Sequence, residues 1–327
     1  MHHSRFLIAI VLGLLLAACG QAAPTPGASG SAPTSAGTNA APANITPVFA
    51  FSEAVAGKNR IAIGLVSNNT PLNEANAKVH LRFYNLDETN PQVKFESDAS
   101  YFGQGLPAAF YVAYPNFDTA GNWGVEIAVQ MPGQTQPVVS KNRLEVKQSS
   151  AVPNVGQPAI STKTLTVKDV PDPKQLSSGT SIDPAMYQIS LDEALKNGKP
   201  TALLFATPAF CRTATCGPSL DVMQGLQKTY GDKVNFIHVE VYKYPFDQSV
   251  AAQEQAAATA QKENRSLTEA EAATGLAEAM VQWKLSSEPW LFLIDAKGVI
   301  AGRYEGGLTK EELGPAIEKL IAGQPVF

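Results

Sequence analysis

The stretch Thr201-Ala202-Leu203-Leu204-Phe205-Ala206-Thr207-Pro208-Ala209-Phe210-Cys211-Arg212-Thr213-Ala214-Thr215-Cys216-Gly217-Pro218-Ser219 decides how this chain folds. Its first residues, Thr201 to Ala206, form an unbroken apolar run, as a central strand covered on both faces requires. Two cysteines follow as Cys211-x4-Cys216. Behind them Leu220, Met223, Leu226 and Tyr230 recur at helical spacing until Gly231 ends the run. The thiols therefore fall at a strand-to-helix corner.

The flanking segments extend this pattern. Met186 to Ile189 reads as a short strand, and Ser190-Leu191-Asp192-Glu193 as a capping box that opens a helix to about Asn197. Val234 to Val241 is another strand. Residues 248 to 284 are rich in Ala and Glu, and a second capping box, Ser266-Leu267-Thr268-Glu269, divides them into two helices. Trp290 to Asp295 and Val299 to Tyr304 form a hairpin around Ala296-Lys297-Gly298. A third box, Thr309-Lys310-Glu311-Glu312, opens a last helix to about Ala322, with Leu308 and Leu313 placed as a hydrophobic staple. The order β-α-β-α-β-α-β-β-α predicts an α/β fold with a mixed central sheet flanked by helices.

Residues 47–147 carry a different pattern. Short apolar or alternating runs such as Arg60 to Val66, Lys78 to Tyr84, Phe110 to Tyr114, Trp123 to Val129 and Asn142 to Val146 are separated by turn clusters. They predict an all-β immunoglobulin-like sandwich. Phe117 to Val125 resembles a signature of small extracytoplasmic β-sandwich domains, in which a turn delivers an aromatic into the core. His80 lies on an alternating strand, and with Met131 as the domain's lone Met it is too little for a copper site. Residues 148–185, with Pro153, Pro158, Pro171, Pro173 and Pro184, read as a linker with one strand at Thr164 to Val167.

The N-terminus reads as an export signal. Arg5 precedes an apolar run from Phe6 to Leu16, too short to span a bilayer but suited to a signal-peptide core. Leu16-Ala17-Ala18-Cys19-Gly20 resembles a bacterial lipobox, which implies cleavage after residue 18 and lipidation of Cys19. Residues 19–46 are Ala, Pro, Ser, Gly and Thr with almost no charge, the composition of a disordered tether. The expected location is lipid-anchored on the extracytoplasmic face of the cell membrane, where a cysteine pair can stay oxidised. The formal net charge of −4 and the lack of a basic block exclude a nucleic-acid partner of the phosphate-backbone type.

Residues 186–327 resemble the thioredoxin superfamily. Lys199 to Cys211 is similar to the strand entering a thioredoxin active site, with Phe210 where the family usually has Trp. Tyr230-Gly231-Asp232-Lys233-Val234-Asn235-Phe236 is similar to the family's helix-to-strand junction, and Val281 to Trp290 to the segment that carries its cis-proline. The resemblance implies a catalytic pair, Cys211 and Cys216, which exchanges disulfides with protein thiols and needs no cofactor beyond its own disulfide. It also implies a substrate groove at Glu288, Pro289 and Trp290, with Trp290 equally suited to core packing and Trp283 assigned to the core.

The chain departs from the family in two ways. The family spacing is C-x-x-C, and here it is C-x4-C, so two alignments stay open. In one, Cys211 is the nucleophile and Cys216 resolves. In the other, Cys216-Gly217-Pro218-Ser219 matches the family's C-G-P-C, and Cys216 is the nucleophile. The family's buried Asp is replaced by Leu204, and His238 on the next strand is the candidate for proton handling. No metal is assigned, because two thiols and few histidines do not make a zinc set. The alternative function is a non-enzymatic binding or scaffold lipoprotein whose disulfide is static. Direction of electron flow and oligomeric state are left open by the sequence.

Overall fold

The computed structural model describes residues 44–106 and 108–326. The export signal and Cys19 lie outside the described residues. Among those residues no helix is long and apolar enough to cross a membrane.

The N-terminal domain contains strands β1 (Ile45–Phe49), β2 (Ala54–Val55), β3 (Gly57–Lys58), β4 (Ile61–Ser67), β5 (Thr70–Pro71), β6 (Lys78–Asn85), β7 (Val93–Phe102), β8 (Phe110–Ala113), β9 (Asn116–Phe117), β10 (Gly121–Gln130) and β11 (Val138–Lys147). Their order is β1-β4-β8-β7-β6-β10-β11-β2, a curled sheet in which long β7 pairs with β8 at one end and β6 at the other. The two faces of the expected sandwich thus belong to one continuous sheet. Alternation sets its inner face: Val79, Leu81 and Phe83 of β6 and Trp123, Val125, Ile127 and Val129 of β10 share one core with Ile61, Ile63 and Leu65 of β4. The Phe117 turn does deliver aromatics inward: Phe117 and Trp123 meet edge to face at 5.1 Å, and the Trp123 indole N–H donates to the Thr119 carbonyl. His80 lies outside this core, between Asp98 and Glu96 on the strand face. The domain begins at Ile45, slightly before the expected boundary.

The C-terminal domain is built on a mixed sheet, β13-β12-β14-β15, from β12 (Thr201–Ala206), β13 (Asn235–Glu240), β14 (Trp290–Ile294) and β15 (Ile300–Glu305). β12 and β13 are parallel, and β14 runs antiparallel to both neighbours β12 and β15. Ala202, Leu204 and Ala206 face one core, and Leu203 and Phe205 the other, which is why the run reads as unbroken. The helices are α1 (Leu191–Ala194), α2 (Cys216–Tyr230), α3 (Phe246–Lys262), α4 (Glu269–Ala272), α5 (Glu278–Gln282) and α6 (Lys310–Ile321). α2 and α6 cover the first face through Leu220, Met223, Leu226, Leu313 and Ile317. Leu191, Ala194 and Trp283 pack on the second. Leu308 and Leu313, the expected staple, are both fully buried in the first core.

Several local expectations are corrected. Met186 and Tyr187 belong to a 3-10 turn, Pro184–Tyr187, not a strand: Pro184 presets its first φ and Asp183 caps the Ala185 N–H. Ser190 does not cap its own helix by a box. Its hydroxyl accepts the Thr164 N–H, and Thr164 Oγ1 accepts the Leu191 N–H, so a residue from the preceding segment takes over the capping. The second box is Thr268 with Glu271, two residues beyond the expected one, and the insert forms three helices. Residues 148–185 are no free linker. Val152, Thr162, Thr164, Thr166 and Leu176 are buried, and Gly156 and Ala159 pair with the β14–β15 hairpin. No named strand forms at Thr164 to Val167.

At α6, Thr309 accepts the Glu312 N–H, but the Glu312 carboxylate does not return to the cap. It meets Arg60 of the N-terminal domain in a bidentate pair, at 2.6 and 2.9 Å, and accepts the Tyr114 hydroxyl. Arg60 also donates to the carbonyls of Glu305 and Gly307. Gly307 leaves room for the Phe110 ring, which a Cβ there would meet at 2.2 Å. Both charges of the pair are buried, so breaking one side leaves an uncompensated ion. Arg60→Met should cost about 3–5 kcal/mol in urea unfolding, and the double variant Arg60→Met/Glu312→Leu should recover most of that loss. A single variant as stable as the parent contradicts this account of the domain junction.

Candidate active site

Cys211 and Cys216 are joined as a disulfide, with their Cα atoms 5.9 Å apart. The turn between them is closed by Ala214 in the left-handed region at φ 56°. Cys216 is the first residue of α2 and Thr215 its cap, so Pro218 stands at the third helical position, where its missing N–H is no loss. The two sulfurs differ in access. Cys216 is fully buried in the core between the sheet and α2, whereas Cys211 is only partly buried. The Cys216 backbone N–H points at Cys211 Sγ, 3.3 Å away. An amide at a helix N-terminus favours a thiolate at that sulfur once the bond is reduced.

The Glu288–Pro289 peptide is cis, at the position that the sequence reading gave it. Sγ of Cys211, Sγ of Cys216 and a Glu288 carboxyl oxygen lie within 4.8 Å of one another. Glu288 is half-buried, its Oε2 has no hydrogen-bond partner, and the second carboxyl of the region, Glu240, stands near enough to be felt. Burial first, then the Glu240 charge, push the Glu288 carboxyl up to about 8; the Thr207 backbone N–H and Arg212 oppose the shift. Glu240 is also raised by burial, but it accepts Ser178 N–H at 2.7 Å, Ser178 O–H at 2.8 Å and Val241 N–H at 3.2 Å, all of which favour its ionised form. Ser178 comes from the segment before the domain and also accepts the Ala209 N–H, so the strap reaches the active-site turn. The three donors around the disulfide fall short of a zinc set, and the sulfurs, bonded to each other, are not thiolates.

Of the two places open to Trp290, groove and core, it takes the core. It is buried, stacks on Phe292 at 5.7 Å, carries the Arg303 guanidinium over its ring, and donates its indole N–H to Ser287 Oγ. The cis-proline segment turns its side chain to the opposite sheet face from the Cys216 core. Trp283 is buried against Phe205 and Phe292, as expected. His238 does not serve the sulfurs. Its Nε2 donates to the Ala206 carbonyl at 3.0 Å, its Nδ1 accepts from the Tyr187 hydroxyl at 2.6 Å, and burial pushes it down to about 4, so it is a neutral, fully engaged strand histidine. Glu240 is the site residue the sequence reading missed. It lies only two positions beyond His238 on the same strand, but its relation to Glu288 exists only in the tertiary structure.

The helical insert has a location. α3, α4 and α5 wall a groove of about 500 Å³ with an apolar lining that includes Leu267, Leu276 and Met280, and its inner end is formed by Arg212, Thr213 and Glu288. Arg212 is tied across it to Glu254 at 3.5 Å, an exposed pair of little energetic weight.

The pattern of the thioredoxin-like domain family matches residues 187–321. The C-terminal part of this chain is a thioredoxin-like domain. Solved structures similar to it include a candidate thiol:disulfide interchange protein DsbE of Chlorobium tepidum, 16% identical, TM-score 0.31, covering 52% of this chain and 97% of that one. A thioredoxin-like superfamily protein, SPOA0173, is 14% identical, TM-score 0.31, with 49% and 95% covered. No curated protein sequence matches the chain.

The raised Glu288 carboxyl has a consequence for stability. Its folded value lies above the ordinary 4.5, so the folded state holds a proton that the unfolded state releases, and stability falls as pH rises from about 4.5 to about 8. Chemical unfolding of the oxidised protein across that window should show this decline, and Glu288→Gln should flatten it. A parallel decline in both proteins contradicts the assignment.

Proposed function

We propose that this protein is a membrane-anchored, extracytoplasmic thiol-disulfide oxidoreductase that acts on protein thiols through Cys211 and Cys216. The observation that carries this reading is the unequal burial of one disulfide at a helix N-terminus: one sulfur open to a partner, the other buried behind it. A loop staple has no need of that asymmetry, nor of a carboxyl and a cis-proline beside it. Cys211 is the nucleophile, because only its sulfur is accessible and only it receives the amide of α2. Cys216 resolves the mixed disulfide. The groove under α3–α5 receives the substrate chain, with Glu288, the residue before the cis-proline, in its lining. The lipobox at Cys19 supplies the anchor, and the residues between it and Ile45 the tether. The N-terminal domain supports the site: Glu305 accepts Ser52 from that domain and Ser287 from the cis-proline segment.

In an insulin-reduction or refolding assay, Cys211→Ser should abolish exchange, and Cys216→Ser should trap a mixed disulfide with the substrate through Cys211. Trapping through Cys216 in Cys211→Ser instead reverses the roles, and exchange unaffected by either variant removes the function. In a bacterial host that lipidates exported proteins, Cys19→Ser should release the protein from the membrane fraction; retention of the variant there contradicts the anchor.

A further inference from the structure

Opening the disulfide creates a charge in an unfavourable place. When a partner thiolate attacks Cys211 Sγ, the bond between Cys211 and Cys216 breaks, a bond between Cys211 and the partner sulfur forms, and the electron pair of the broken bond stays on Cys216. That sulfur is fully buried. An ionised thiol there lacks solvation, so the step requires a proton at Cys216.

Three positions come into question as its source. Leu204 occupies the strand position at which the acid of related domains was expected, and it cannot titrate. His238 has both nitrogens engaged, by Tyr187 and by the Ala206 carbonyl. Glu288 remains, with a carboxyl oxygen within 4.8 Å of both sulfurs, a reach that a single water completes, and with a buried Oε2 that has no partner. A buried carboxyl oxygen without a partner is costly to hold, and a catalytic role is one reason for a fold to keep it.

We propose that Glu288 gives a proton to Cys216 Sγ when the disulfide opens and takes it back when the disulfide closes, with Glu240 as its carboxylate partner. This rests on the exchange reading above. In the opening direction the partner dithiol loses two electrons and the Cys211–Cys216 pair gains them. Glu288 becomes a carboxylate as Cys216 becomes a thiol, and the proton released when the partner's second thiol attacks returns the carboxyl to its neutral form. In the closing direction each transfer reverses. The groups that face the Glu288 carboxyl are Glu240 at the end of β13, Tyr242 just beyond it, Arg212 in the Cys loop, the Thr207 N–H and the two sulfurs. Glu240 opposes ionisation of Glu288 and Arg212 favours it; the hydrogen bonds into Glu240 favour negative charge on that partner, so the proton resides on Glu288.

The test compares wild type, Glu288→Gln and Glu240→Gln as full-length oxidised proteins reduced by dithiothreitol across a range of pH. The proposal predicts that Glu288→Gln slows reduction about a hundredfold at neutral pH, a modest general-acid effect, and removes one inflection from the rate–pH profile. Glu240→Gln should retain that inflection and move it to lower pH. Infrared spectra of unmodified protein supply a reading that needs no variant: a protonated-carboxyl band should persist at neutral pH and vanish above about 8. Glu288→Gln with a profile parallel to wild type, or a band absent at neutral pH, overturns the proposal. An inflection unmoved in Glu240→Gln overturns the role of Glu240. A wild type inert toward protein disulfides defeats the exchange reading, and loss of the infrared band in Glu288→Gln but not in Glu240→Gln then still decides where the proton sits.

Discussion

The burial of Cys216 against the sheet, while Cys211 stays at the surface, is the constraint on which the rest of the site depends. Two sulfurs in one covalent bond are forced into different dielectric surroundings. That difference leaves one sulfur partly exposed, with the Cys216 N–H directed at it, and the other fully buried; the proposed exchange and proton transfer both rest on it. α2 creates the asymmetry by starting at Cys216 itself, so that the second thiol is carried inward with Leu220 and Met223 while the five-residue advance from Cys211 stays in the turn.

The N-terminal domain is part of that arrangement rather than an appendage. The Arg60–Glu312 pair and the Glu305 carboxylate are buried or nearly so, and both lie between the curled sheet and the thioredoxin-like domain. Arg60 reaches the carbonyls on either side of Gly306, directly after β15, and Glu305 reaches Ser287, next to Glu288. The Glu305 carboxylate thus joins Ser52 of the N-terminal domain to Ser287, the residue before Glu288. Charged groups used in this way specify a geometry more than they add stability, because their desolvation offsets most of their attraction.

Much of this was legible in the sequence, and the reasons differ by residue. Thr201 to Ala206 could be read as a central strand because both its faces are apolar. The hairpin is legible because its landmarks are local, and the cis-proline through the resemblance of Val281 to Trp290 to the family's segment. Ser190 has the spelling of a cap, but its partner Thr164 is distant in the chain and leaves no local signal. The second capping box was misplaced because Ser266-x-x-Glu269 and Thr268-x-x-Glu271 overlap and the spelling alone does not rank them. Glu312 has the spacing of a cap residue, but a buried arginine claims its carboxylate. Glu240 and Glu288 gave no sequence signal as a pair, since only the sheet brings them together.

The central claim is that the Cys211–Cys216 bond is made to be broken. Equilibration of the purified protein with graded glutathione redox buffers, read by thiol alkylation, measures that directly. The account predicts a reduction potential in the range of exchange-active pairs, roughly −120 to −270 mV. A potential below about −300 mV, typical of disulfides that resist the glutathione pool, would show a permanent crosslink and contradict it.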